Sequence, residues 1–312
     1  MALESGTYIK DLVSTNPPGT DAISQGDDHL RLIKSTIQAS FPSNTNSPTV
    51  PDIAGNGNKF LQVNSGATAT AWATVRTAGS LNRATFAYKD ADEIYIGSGE
   101  YDLDGTTTAA YSWDSQLTFQ IGSGGSNAAS SAAGTSQWQY LYMDDSAISA
   151  SPLVAASFLN ATTAPTYNQS KHGWYNGSDR CIFAFYIDAD GTIRQFFHNG
   201  GDYTMYADQW SEGGMGANAS YATKIITGMP AFAIRGEMNF FVNGNSATVS
   251  SQYWRVTGTT GTHYLSKVED DEAEFVVNNV TVYTDSSRQI DVLTNTATVY
   301  PYTAGWFIPG GM

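Results

Sequence analysis

The sequence predicts a mainly β protein: an extended leader and short α-helix, an interwound linker, then a C-terminal β-sandwich of jelly-roll-like form, assembled as a homotrimer. Three observations point there. Short apolar runs punctuated by Gly, Asn and Asp recur from residue 91 to the end, at the spacing of antiparallel strands. Helical periodicity is confined to one stretch, residues 26 to 41. Charged residues make up 14% of the chain against an ordinary value of about a quarter, while Gly numbers 30, so the surface is neutral and rich in turns.

The leader, residues 8 to 18, ends in Asn16-Pro17-Pro18-Gly19. Each proline removes an amide donor and biases its predecessor toward extended backbone, so the helix starts later. Asp27 or Asp28 is expected to cap it and to favour the positive end of the helix dipole, and Phe41-Pro42 ends it. Leu30, Ile33 and Ile37 recur at spacings of three and four, a heptad seam two turns long. A helix this short is marginal in water unless copies or another protein cover the seam, and Ile at both kinds of seam position favours three or more strands. Periodicity alone also fits one amphipathic helix packed on its own domain. Leu32 sits off the seam and requires a second contact face.

Residues 43 to 52 form a Ser/Asn/Pro/Thr linker held extended by Pro48 and Pro51. Alternation over residues 59 to 64 predicts a short strand, and the small residues of 68 to 75 suit winding with other copies about a threefold axis. The predicted strands that follow lie near 93–97, 116–121, 137–143, 153–159, 180–187, 192–198, 229–235, 238–243, 247–256, 274–283 and 297–303. The domain plan is therefore 1–42 for attachment, 43–78 for a linker or short shaft, and 79–312 for a distal sandwich with room for two subdomains. Residues 180 to 198 read as a hairpin about Asp190-Gly191, a pair that tolerates positive φ. Its first strand is apolar on both faces and so requires cover on both sides.

Residues 8 to 42 resemble the N-terminal virion-attachment segment of tailed-bacteriophage tail fibres, with the pattern YIxDLVxTNPxGxDxxSQGDDHxRLIKxTxxxxFP. Tyr8, Asp11, Leu12, Val13, Thr15 to Pro17, Gly19, Asp21, Ser24 to His29, Arg31 to Lys34, Thr36, Phe41 and Pro42 match it. Residues 57 to 72 are similar to the GxKFLxVNxxGTAxxW linker motif of phage fibre shafts. Residues 162 to 188 also resemble distal domains of marine phage fibre proteins, with no activity implied. The resemblance implies a structural virion protein made in the host cytoplasm and carried on the tail. Asp27, His29, Leu30, Ile33 and Ile37 would form its attachment and trimer helix, docked on an adaptor, nozzle or baseplate protein. A head fibre or capsid decoration protein is the alternative, and a glycan-degrading tailspike fits less well because no β-helix repeat is present.

Composition narrows the partners. A formal charge of −14 without a basic patch argues against nucleic acid. Residues 1 to 10 lack the features of a signal peptide, and no run approaches the roughly 18 apolar residues of a membrane span, so no membrane insertion is expected. Cys181 stands alone among apolar neighbours and reads as a buried thiol. The four histidines show no metal spacing, and esterase, P-loop and dinucleotide signatures are missing, so neither metal, cofactor nor enzymatic activity is expected. Asp188-x-Asp190-Gly191 resembles the opening of a calcium loop but serves a hairpin turn equally well. His172, Trp174 and Tyr175 combine aromatic faces with polar groups, as contact with a host surface glycan or protein receptor needs. Trp174 as a core plug is the competing reading.

Overall fold

Alternating apolar and polar positions build five antiparallel sheets in the computed structural model, with one α-helix among the described residues. Those residues are 26–40, 59–63, 70–74, 80–104, 110–244, 250–268 and 274–312; the predicted leader and the 43–52 linker lie outside them. The chain divides into two compact units, Met1–Val75 and Arg76–Met312.

In the first unit the helix spans Gly26–Ser40. It begins one residue before the expected caps, so Asp27 and Asp28 fall in its first turn, where negative charge still favours the dipole. Lys59–Val63 and Thr70–Thr74 pair as an antiparallel hairpin, from Lys59 opposite Thr74 to Val63 opposite Thr70. One edge of the 70–74 segment, expected to wind with other copies, is thus paired within its own chain.

The second unit centres on an eight-stranded sheet. Its order is Glu274–Tyr283, Arg235–Gly244, Thr298–Phe307, Tyr203–Ser211, Phe196–His198, Phe86–Tyr88, Glu93–Ile96 and Leu117–Gln120. A five-stranded sheet runs Phe158–Ala161, Gln137–Met143, Asp179–Ile187, Gly173–Asn176, Thr166–Asn168. The two meet through aromatic rings. Phe183 stacks on Phe86 at 4.2 Å between centroids and touches Phe196 at 5.2 Å and Trp306 at 5.8 Å. Such contacts add to the burial of apolar area that holds the layers together. A four-stranded sheet (Ala222–Ile225, Gln289–Leu293, Ser250–Val256, His263–Val268) and a three-stranded one (Ser80–Asn82, Gly99–Asp102, Ala110–Trp113) complete the unit.

The Asp179–Ile187 strand is buried on both faces, as its composition requires, and Cys181 is fully buried. A register shift between Cys181 and Phe183 breaks the simple alternation that would set both on one face. The predicted hairpin closes at Asp188 to Thr192 but does not continue as a ladder. After the bridge between Ile187 and Ile193 the chain crosses over, and Phe196–His198 joins the eight-stranded sheet. Residues 229–234 are apolar yet form no strand. Phe232 plugs the space between Tyr140, Trp174 and Trp306, and Pro230 has no amide to give a ladder.

Candidate recognition surfaces

The helix has two different faces. His29 and Thr36 are buried and Leu32 and Ala39 half-buried, a stripe at spacings of three and four. The seam faces away: Leu30, Ile33 and Ile37 remain 57%, 41% and 47% exposed. Leu32 thus lies on the more buried side, away from the exposed apolar seam.

The Lys171 to Arg180 segment is built around a cation. Arg180 is completely buried and donates to the Asp102 carbonyl at 2.6 Å, the Tyr175 hydroxyl at 2.8 Å and the Gly311 carbonyl at 2.7 Å. Its guanidinium also lies over the rings of Tyr101 and Tyr175, at 5.8 and 5.5 Å. Gly173 makes room for it, since a Cβ there would fall 2.8 Å from the guanidinium. Burial pushes the Tyr175 phenol above its ordinary range, and the Arg180 charge pulls the other way.

The three sequence-selected contact residues are therefore unlike one another. His172 is exposed, at a turn with φ of 48°. Trp174 is half-buried: its indole N–H donates to the Gly310 carbonyl at 3.1 Å, and its ring packs on Tyr167 at 5.5 Å and Phe232 at 5.8 Å. Tyr175 is buried, its hydroxyl taken by Arg180, so it presents no ring face to a receptor. The geometry ties Trp174 and Tyr175 into packing of the C-terminal stretch. Arg180, central to this segment, was not singled out from the sequence; the signal was an arginine opening an otherwise apolar strand.

Several carboxylates elsewhere are occupied. Asp188 pairs with Arg194 at 2.8 Å and Asp190 accepts from the Thr192 amide and hydroxyl, so both serve the turn. Asp90, Asp92 and Glu93 converge to within 4.8 Å, but Lys89 pairs with Glu93 and Gln120 donates to Asp92 at 3.0 Å. Glu212 is buried and accepts from the Thr227 amide and hydroxyl, the Gly228 amide and the Thr303 hydroxyl, which makes it a clamp on the 227–228 turn. No helix among the described residues is long and apolar enough to cross a membrane.

No family model matches the chain, and no curated protein matches it. A solved structure of a Bacillus thuringiensis Cry1Da tryptic core variant aligns with 75% of this chain at 11% identity and a TM-score of 0.16, a likeness too slight to assign fold or activity. The alignment spans 52% of that structure.

Proposed function

We propose that this chain is a structural virion protein, a homotrimeric phage tail fibre or short receptor-binding fibre that attaches the particle to the host cell surface. The observation that carries this reading is the exposed Leu30/Ile33/Ile37 seam, lying inside the segment that resembles fibre attachment regions. A helix that buries one stripe on its own chain and leaves an apolar seam open suits docking against copies and a tail adaptor, nozzle or baseplate protein. Residues 76–312, with an extensive aromatic core, supply a rigid distal body for contact with a surface glycan or protein receptor. Three weak contacts on one fibre act together through effective concentration, so adhesion needs no catalytic site.

Cryo-electron microscopy of intact particles tests this directly. Density for three copies at the tail, together with binding of the purified protein to host cells, is the expected result. Density on the capsid would make it a head fibre or decoration protein. Release of oligosaccharides from host glycans by the purified protein would replace adhesion with hydrolysis.

A further inference from the structure

The outward face of the eight-stranded sheet is unlike an ordinary solvated face. Directly paired residues of neighbouring strands share a face, so the register defines rows across it. One row runs Phe197, Met205, Gly305, Glu237, Thr281. On one side of it Tyr203 pairs with Phe307 and Arg235 with Tyr283. Farther along, Tyr300, Phe241 and Val277 make another row, and between them Asn279 donates to Asn239 at 3.0 Å. Phe197, Met205, Val277, Tyr283 and Tyr300 are all exposed on this face. The opposite face of the same strands carries the buried Met238, Phe240, Val242 and Trp306. An apolar and aromatic surface this extended marks an interaction site rather than scattered exposure.

Charge says what covers it. The chain carries a formal charge of −14, so two copies repel each other over most of their surfaces. The rows just described hold one cation and one anion, Arg235 and Glu237, which cancel. They do not pair with each other: Arg235 makes no ion pair among the described residues, and its buried Nε has no hydrogen-bond partner. Its guanidinium lies instead over the Phe307 ring, 3.7 Å from the centroid, with Tyr283 at 5.9 Å. Stacking between rings positions a guanidinium while leaving its N–H groups free for a carboxylate. Gly305 keeps the centre of the face low, since a Cβ there would fall 2.3 Å from the Thr204 carbonyl and 2.6 Å from the Tyr203 hydroxyl.

We propose that this face is a self-association surface covered by a second copy of this chain, with Arg235 meeting Glu237 of the partner subunit. A neutral, aromatic face with one charge of each sign, neither in an ion pair among the described residues, is complementary to another copy, and it is where an acidic chain can approach its own copy without net repulsion. The inference rests on the reading of the chain as a homo-oligomer and adds where its distal units touch.

The test uses the full chain, with light scattering for mass and hydroxyl-radical footprinting for cover. Tyr264, equally exposed but on the four-stranded sheet, is the internal control. The expected result is an assembled mass, with Phe197, Met205 and Tyr283 labelled several-fold less than Tyr264. R235E and E237R should each weaken association about tenfold or more, and the double reversal R235E/E237R should restore it, which separates a charge pair from a folding defect. A monomer at micromolar concentration overturns both the oligomer reading and this inference. An assembled protein whose face labels as freely as Tyr264, or whose face is protected only on adding host surface polysaccharide, overturns this inference and leaves the oligomer reading standing.

Discussion

Trp174 joins three parts of the chain: a short strand, the Phe232 plug and the Gly310 carbonyl. Its truncation therefore opens a cavity and strands a carbonyl acceptor. Trp174→Ala is expected to destabilise the protein by about 3 kcal/mol, the low end for a tryptophan because the ring is half-buried. Denaturant titration checks this, alongside affinity for a monovalent receptor fragment. A variant with unchanged stability and lost affinity would make Trp174 a binding platform instead. His198 gives a second residue-level expectation. Burial holds its pKa down to about 4, and its Nδ1 accepts from the Phe86 and Gly200 amides at 3.3 Å each, bonds that protonation removes. The unfolded chain binds this proton more readily, so its contribution is complete above about pH 6.5 and is lost as the pH falls toward 4. After discounting for partial solvent screening, the loss is about 2 kcal/mol. Asp144 and Asp291 work in the same direction: burial alone would raise each carboxyl, but their hydrogen bonds prevail and hold them below the usual range. The histidine's share is read as the difference between the wild type and His198→Gln, whose stability should fall less between pH 7 and pH 4.5. Identical pH profiles would remove His198 from the account.

At the scale of elements, legibility followed periodicity. Gln137–Met143 and Glu274–Tyr283 have the predicted bounds, because segments this rich in aromatic or β-branched residues suit strands, the first largely buried and the second covered on one face only. Ala222–Ile225 was not anticipated; it is a short strand with no buried position and so no apolar signal. Tyr203–Ser211 was hidden by a register shift between Met205 and Trp210, which breaks alternation where Asp208 and Gln209 fall. Residues 229–234 erred the other way, since an apolar plug and an apolar strand have the same composition. The candidate contact loop was visible as aromatic chemistry, but its inward orientation depends on Arg180, whose partners lie 78 and 131 residues away. The outward sheet face was invisible for a similar reason: its longest row exists only once five strands are in register. The helix was more transparent, and it yields an element-level prediction. Ile33 is exposed in the single chain, so Ile33→Asp should leave the melting of the β-rich unit unchanged. The same change would bury an unpaired carboxylate in any docked seam, at a cost of several kcal/mol. Incorporation into particles should therefore be abolished, as measured by immunoblotting of purified virions. Normal incorporation would show that the seam does not dock.

For the whole molecule the question is whether attachment and recognition are separable. Among the described residues the buried apolar cluster runs from Ala84 to Met312, inside the second compact unit. A chain lacking residues 1–42 should then remain folded, with a melting temperature within about 3 °C of the full protein, and should still bind host cells while failing to join virions. Avidity complicates the binding assay, because loss of the helix seam reduces any contribution it makes to assembly, and fewer linked copies bind a surface less tightly even when each site is intact. The comparison therefore needs two readouts, whole-cell binding and the affinity of a soluble monovalent receptor fragment. Reduced cell binding with unchanged fragment affinity places recognition in residues 76–312 and the helix in assembly. A folded truncation that loses fragment affinity as well would move recognition to the N-terminal segment and reverse the two ends of the fibre.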